Sequence, residues 1–152
     1  MFLIHLGIHF SCINETISNP DAAKLAFSTD TIMFDTIFTA IGSTTQSFRV
    51  INPYNQTLLI TSIKLAGGDQ SSYRLNIDGE ITNEANNIEL RPKDSLYIFV
   101  EVTINPNGVN QPIIVHDSII FTINENIQDV DLVAYGQDFI PIKGETIKTT
   151  TW

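Results

Sequence analysis

The sequence predicts an all-β protein, an antiparallel β-sandwich of about seven or eight strands that covers residues 25–140. The composition gives the first indication: 24 isoleucines stand against 10 leucines and 7 alanines, and β-branched side chains suit a pleated sheet better than a helix. The second indication is an alternation of apolar and polar residues at period two. The third is the presence of turn residues at short intervals between the alternating runs.

The clearest strand is LYIFVEVTI, residues 96–104. One of its faces is aliphatic: Leu96, Ile98, Val100, Val102 and Ile104. The other face is mixed: Tyr97, Phe99, Glu101 and Thr103. Since successive strand residues point to opposite faces, the aliphatic face is expected in the core.

Other runs show the same pattern, in SIIFTI (118–123), DVDLVAYG (129–136) and the stretch from 58 to 65. Turns are predicted at Asn52-Pro53-Tyr54-Asn55 and Arg91-Pro92-Lys93-Asp94, because proline cannot donate to a ladder. The predicted core comprises Phe48, Val50, Ile60, Leu96, Ile98, Val100, Val102, Phe121, Val130 and Leu132.

The length and charge of the chain exclude one class of partner. The 152 residues suit one domain with a sizeable core. The formal net charge is −9, and the eight lysines and arginines form no basic cluster. Because phosphate contacts need clustered positive charge, nucleic acid is not an expected partner.

The start of the chain, MFLIHLGIHFSC, is an apolar run that ends at the single cysteine, Cys12. A run of this length is too short to span a bilayer but matches the apolar part of a secretory signal. It resembles a bacterial lipoprotein signal over residues 1–12, in which Cys12 would carry the lipid. Residues 13–24 then form a tether. The alternative is that Cys12 is a free structural thiol.

The order of features resembles a known group of domains. FRVINPYNQTLLITSIKL, IELRPKDSLYIFVEVTINPNG and DSIIFTINENIQDVDLVAYGQD look like an immunoglobulin-like domain of the abnormal-spindle/hydin and major-sperm-protein type. FSTDTIMFDTIFTAIGS and VAYGQD are similar to the N-terminal domain of uncharacterised surface lipoproteins of Bacteroidota. The resemblance implies an immunoglobulin-like sandwich after a lipidated cysteine, often followed by a parallel β-helix, and it carries over no catalytic residue.

The stretch from 28 to 36 offers oxygen ligands that suit calcium, which takes about six to eight. These residues are Ser28, Thr29, Asp30, Thr31, Asp35 and Thr36. No loop motif for calcium accompanies them. We therefore expect a strand with Ile32 and Phe34 inward, which crosses between the sheets near Ile37-Phe38. No metal site is predicted.

No catalytic site is predicted either. The triplet His116-Asp117-Ser118 has the residue types of a hydrolase triad, but adjacent strand residues point apart. The triplet is expected to be a turn at the start of a strand. Gly67-Gly68-Asp69 and Asp78-Gly79 are expected to be turns rather than phosphate-binding loops, and the acids Glu80, Glu84 and Glu89 fall in a loop-like region. The prediction is therefore a protein that is not an enzyme and holds no cofactor.

One surface carries a ligand hypothesis. Tyr97, Phe99 and Glu101 share the polar face of the long strand. The two aromatic residues would bind a glycan or a protein partner, or would be covered by a loop over 76–87.

The end of the chain, residues 141–152, is predicted to be a linker or the start of a further domain. Ile147 and the threonines after it suggest a new strand, and Trp152 is the only tryptophan. The alternative is that this segment folds back on the sandwich as an edge strand. The functional prediction is an extracytoplasmic module, on the outer membrane or cell surface, held to the membrane by a lipid and displaying or spacing a downstream domain. Its rival is an adhesin or glycan-binding module that uses Tyr97 and Phe99.

Overall fold

The computed structural model describes residues 22–39, 45–105 and 113–137. Within these ranges the chain forms strands and one 3₁₀ turn, Gly68–Gln70. In chain order the strands are β1 (Ala26–Phe27), β2 (Thr31–Phe38), β3 (Gln46–Ile51), β4 (Leu58–Leu65), β5 (Tyr73–Ile77), β6 (Glu80–Ile81), β7 (Glu84–Leu90), β8 (Ser95–Val102), β9 (Ile113–Ile123) and β10 (Asn126–Gln137). Two of the ten, β1 and β6, have only two residues each. The other eight match the predicted number. In this part of the chain no helix is long and apolar enough to span a bilayer.

The strands form two five-stranded sheets. The first has the order β1-β3-β8-β5-β6, and the second has the order β2-β10-β9-β4-β7. All the strand pairs are antiparallel except β2 with β10, which is parallel. The predicted all-β, immunoglobulin-like β-sandwich is confirmed.

The core lies between the sheets and is built by the alternation that the sequence shows. All ten residues of the predicted core are buried. In β8 the burial alternates without a break from Leu96 to Val102. Burial of aliphatic side chains at about 25 cal/mol per Å² of apolar surface is the main force that holds the two sheets together.

The chain passes from the first sheet to the second between β1 and β2. Leu25 is held by Gln128, whose amide accepts from the Leu25 N–H (2.8 Å) and donates to the Leu25 carbonyl (3.0 Å). After β1, Ser28 still pairs with the backbone of Arg49, whereas the carbonyl of Asp30 already accepts from β10. The chain therefore changes sheets over residues 28–30.

This position corrects the sequence prediction, which placed the crossing near Ile37-Phe38. Both residues lie in β2 and pair with Gly136 and Gln137 of β10. The predicted inward orientation is right for Ile32 and Phe34, which are buried.

Side chains of residues 29–36 bind backbone groups of β2, the strand at one end of the second sheet as described. The Thr29 hydroxyl donates to the carbonyl of Thr31 (2.8 Å) and accepts from its N–H (3.3 Å). A β-bulge leaves Asp35 without a partner in β10, and its carboxylate accepts from the N–H of Thr36 (2.7 Å). These contacts occupy backbone groups that would otherwise be a template for another strand.

A buried asparagine joins the two turns before β4 and β8. Asn52 is fully buried, and its Nδ2 donates to the carbonyls of Gln56 (2.8 Å), Leu90 (2.9 Å) and Arg91 (2.9 Å). Its Oδ1 accepts from the N–H of Tyr54 (2.9 Å). One side chain thus fixes the end of β3 and the approach to β8.

Candidate functional site

The candidate site lies on the outer face of the first sheet. Because Leu96, Ile98 and their neighbours take the inner face of β8, the residues between them point outward. Tyr97 is 49% exposed and Phe99 is 40% exposed. Glu101 is exposed as well. The three residues that the sequence singled out therefore share one accessible face.

The two aromatic rings lie side by side. Their centroids are 6.4 Å apart and their planes differ by 23°. The rings are thus nearly parallel and offset along the strand, an arrangement that aromatic pairs favour. Together they form a continuous apolar strip along β8.

The strand β3 supplies one flank of this strip. Arg49 lies directly opposite Tyr97, and Ser47 lies directly opposite Phe99. Beyond them, the hydroxyl of Thr45 donates to Glu101 Oε1 (2.7 Å). Opposed side chains on one face of an antiparallel pair have their Cβ atoms about 4.5–5.5 Å apart. This flank therefore offers a guanidinium beside one ring and a hydroxyl beside the other.

The strand β5 and the hairpin after it supply the other flank. Asn76 lies opposite Phe99, and Arg74 lies opposite Glu101. Asn76 pairs in turn with Ile81 of β6, whose side chain is 83% exposed. Arg74 Nη1 donates to the carbonyls of Ser71 and Tyr73 at 2.6 Å each.

The predicted loop over 76–87 is mostly strand. It contains the end of β5, all of β6 and the start of β7. Only the tip, Asp78-Gly79, is a turn with positive φ angles (52° and 91°), as predicted. It does not cover the aromatic rings, since both rings are accessible. The acids Glu80, Glu84 and Glu89 lie in β6 and β7, which corrects their assignment to a loop.

A shallow depression borders the strip, with a volume of about 90 Å³. It is lined by Arg74, Leu75, Asn76, Ile81, Phe99 and Glu101. Pockets that bury a small molecule measure roughly 300–1,000 Å³. The depression is large enough for one substituent of a ligand, and the rest of that ligand would lie along the surface.

The triplet His116-Asp117-Ser118 lies within β9 and not in a turn at its start, which corrects the predicted placement. His116 is exposed, whereas Asp117 and Ser118 are half-buried. Asp117 accepts from the N–H of Gly67 (3.0 Å) and from the hydroxyl of Ser71. The carboxylate thus holds the segment after β4, including the turn predicted at Gly67-Gly68, against β9.

Tyr73 lies beside this carboxylate. Its hydroxyl donates to the carbonyl of Val115 (2.9 Å). Burial, and after it the negative charge of Asp117, raises the pKa of Tyr73 well above its ordinary value. The phenol therefore stays protonated and structural.

The remaining candidates are spread out or lie outside the described residues. Asp30 precedes β2, and Asp35 is the bulge residue within it. In the described ranges, no group of three or more His, Cys, Asp or Glu side chains could hold a metal ion. Cys12 and Trp152 both lie outside the described residues.

Sequence reasoning missed the polar residues that flank the aromatic strip. Arg49 and Asn76 belong to strands whose register with β8 the sequence does not give. The available signal was their position in alternating runs: Arg49 lies between the core residues Phe48 and Val50, and therefore points outward.

A second group of exposed apolar residues lies on the outer face of the second sheet. Met33 pairs with Val133, and Tyr135 pairs with Ile114. Tyr135 is 41% exposed. Tyr135 therefore resembles Tyr97 in exposure and lies on the opposite face of the sandwich.

Comparison with known proteins gives a likeness of fold. No protein-family model matches the chain, and a search of the curated proteins found no match. Among solved structures, a family 123 glycoside hydrolase from Clostridium perfringens is similar with a TM-score of 0.51 and 9% identity, over 73% of this chain and 23% of that one. The CooA pilin subunit from enterotoxigenic Escherichia coli has a TM-score of 0.46 and 6% identity, over 74% and 92% of the two chains. The E. coli chaperone DraB has a TM-score of 0.44 and 9% identity, over 76% and 55%.

The chain thus spans less than a quarter of the hydrolase and just over half of the chaperone. At such identities the likeness concerns the fold alone. The order of strands in the two sheets is what shows the immunoglobulin-like β-sandwich.

Proposed function

We propose that this domain is a non-catalytic glycan-binding module and that the outer face of its first sheet is the binding surface. The observation that carries the proposal is the pair of exposed, nearly parallel rings of Tyr97 and Phe99. Sugar rings present flat faces of C–H groups, which pack well on flat aromatic rings. Covering such apolar surface is favourable by about 25 cal/mol per Å².

The surroundings of the rings fit a sugar chain better than a buried small molecule. Ser47 and Asn76 lie beside Phe99. Ser47 offers a hydroxyl, and Asn76 offers its amide N–H groups, since its Oδ1 already accepts from the N–H of Gly79 (2.8 Å). The adjoining depression of about 90 Å³ is too small for a whole ligand. A chain of sugars that lies flat on the sheet would use both features.

We propose that this face binds a glycan without hydrolysing it. Hydrolysis of a glycosidic bond usually needs two carboxyl groups across the bond. The described residues that line the depression include one carboxylate, Glu101, and Thr45 already donates to it.

The test is a glycan array followed by calorimetry with the best ligand. Tyr97→Ala and Phe99→Ala should each weaken binding at least about tenfold, because stacked aromatic residues are typical binding hot spots. Tyr135→Ala is the matched control, since it removes a tyrosine of similar exposure from the other face, and it should change nothing. Equal effects of Tyr97→Ala and Tyr135→Ala, or binding to no glycan, would refute the proposal.

We also propose that the module is displayed outside the cytoplasm, on the outer membrane or cell surface, by a lipid on Cys12, and that it spaces a downstream domain. The support is the apolar run that ends at Cys12, the single cysteine of the sequence. The multiple acyl chains of a lipoprotein anchor stably, whereas one chain anchors only marginally. Labelled palmitate should appear on the protein and disappear in Cys12→Ala, which should also leave the membrane fraction. Unchanged fractionation of Cys12→Ala would refute the proposed lipid anchor. A natural stop codon after codon 152 would refute the proposed spacing of a downstream domain.

A further inference from the structure

The aromatic face carries more positive charge than the composition of the chain leads one to expect. The chain has 17 acidic residues against eight lysines and arginines, so a cation beside an exposed aromatic pair departs from the general trend. Two of the three arginines, Arg49 and Arg74, lie on this face, and Arg91 lies in a turn. The face is thus the place where this acidic chain concentrates its guanidinium groups.

The two arginines differ in what they already bind. Arg74 Nη1 donates to the backbone carbonyls of Ser71 and Tyr73, so part of its hydrogen-bonding capacity is used. The backbone N–H of Arg49 donates to the Ser28 hydroxyl. Its guanidinium makes no hydrogen bond or ion pair with any residue in 22–39, 45–105 and 113–137. An exposed planar donor that has no partner within the described ranges and lies beside an aromatic ring suits a ligand oxyanion.

Arg49 and the carboxylate of the face lie at opposite ends of the strip. Arg49 is directly opposite Tyr97, whereas Glu101 is four residues further along β8, about 13 Å at 3.3 Å per residue. Asp78 lies on the other side of β8 from Arg49, where its backbone N–H donates to the Tyr97 carbonyl (3.1 Å). Arg74 lies opposite Glu101, so an arginine stands at each end of the strip. Of the two guanidinium groups, that of Arg74 already binds backbone carbonyls, which leaves the Arg49 end as the one suited to a ligand anion.

Building on the proposed glycan-binding function, we propose that the ligand is an acidic glycan whose carboxylate or sulfate group is bound by the Arg49 guanidinium. The sugar ring that bears the anion stacks on Tyr97. The next ring stacks on Phe99, and its hydroxyl groups donate to Glu101. A bidentate guanidinium contact to the anion then sets the ligand class and places the anion-bearing ring on Tyr97.

The test compares matched acidic and neutral ligands. The acidic probes are tetragalacturonate and a sulfated chondroitin tetrasaccharide, which separate carboxylate from sulfate. The neutral probe is fully methyl-esterified tetragalacturonate, which keeps the same rings without the charge. The variants are Arg49→Gln, Tyr97→Ala and, as a matched control, Arg91→Gln. Affinities are measured by calorimetry at low and high salt.

At least one acidic probe should bind about tenfold more tightly than the neutral probe, the difference that one charge-assisted contact supplies. Arg49→Gln should remove that difference in affinity and leave binding of the neutral probe unchanged. High salt should also reduce the difference in affinity between the acidic and neutral probes. Arg91→Gln should have no effect. Equal binding of acidic and neutral probes, or an equal loss for both in Arg49→Gln, would overturn the inference. If only neutral glycans bind, and Tyr97→Ala weakens that binding, the inference of an acidic ligand is wrong and the proposed glycan-binding function stands. If none of the probes and no glycan on the array binds, both the inference and the proposed function are wrong.

Discussion

Replacing Asn52 tests whether one buried amide holds the two turns together. Its Oδ1 accepts one hydrogen bond, and its two Nδ2 hydrogens are shared among three carbonyl oxygens. Each such bond contributes about 1 kcal/mol net. The carbonyls of Gln56 and Arg91 belong to exposed residues and recover water in a variant, whereas the Leu90 bond is buried. We therefore expect Asn52→Ala to lower the free energy of unfolding by about 3 kcal/mol.

Asn52→Asp separates the hydrogen bonds from the packing. Aspartate has nearly the same shape, but it places a carboxylate oxygen where Nδ2 now faces three carbonyl oxygens. Repulsion and the burial of a charge should make this variant less stable than Asn52→Ala at neutral pH. Since a domain of this size has a total stability of about 5–15 kcal/mol, the variant should lose a large share of its free energy of unfolding.

The assay is urea unfolding followed by circular dichroism, with the same denaturant slope expected for each variant. Asn55→Ala is the matched control, because this asparagine lies in the same turn and is exposed; its effect should stay below about 0.5 kcal/mol. A loss below about 1 kcal/mol for Asn52→Ala, with an unchanged slope, would show that the turns do not depend on the amide. The result also bears on the candidate site, because the backbone N–H of Asn52 donates to the carbonyl of Asp94 (3.0 Å), the residue just before β8.

Three further variants probe other contacts. Thr57 has a buried hydroxyl with no hydrogen-bond partner in the structure described, so Thr57→Val should raise the free energy of unfolding by up to about 1 kcal/mol in the same urea assay; a loss would show that the hydroxyl is bonded. A Cβ on Gly67 would stand 2.8 Å from Asp117 Oδ2, so Gly67→Ala should cost about 1–3 kcal/mol, visible as a lower melting temperature. Tyr73 keeps its proton in the fold while an unfolded tyrosine loses it near pH 10; the unfolded state then binds fewer protons, so stability falls above pH 10 by up to about 1.4 kcal/mol per pH unit. Tyr73→Phe should remove this share of the alkaline loss, and an unchanged pH profile would contradict it.

The parts of the fold that the sequence predicted are those in which one face of a strand is fully buried. In β8 every second residue is aliphatic, so the pattern alone separates the core from the aromatic face. The same reasoning placed all ten core residues correctly. Whether a strand residue is buried depends on the polarity of its side chain and on the face of the strand to which it points. A period-two pattern in the sequence gives both.

The parts that the sequence did not predict depend on pairing. The segment EANNIEL, which forms β7, has little alternation, and Asn87 has a positive φ of 56°. It is a strand because β4 pairs with it along most of its length. The crossing at 28–30 and the flanking position of Arg49 likewise depend on which strands are neighbours, and no local propensity specifies that.

Among the described strands, β2 and β10 form the one parallel pair, and this pair affects how the domain would carry mechanical load. Residues 31–38 of β2 and 131–137 of β10 run side by side in the same direction. A force that pulls the chain before β2 and the chain after β10 in opposite directions slides these two strands along each other. The ladder bonds between them then resist together in shear, rather than opening one after another as they would if a hairpin were peeled from its turn. Ahead of this ladder, the paired bonds between Gln128 and Leu25 must break as well. A module tethered at one end and pulled through the other would therefore meet the tension at its most resistant pair of strands.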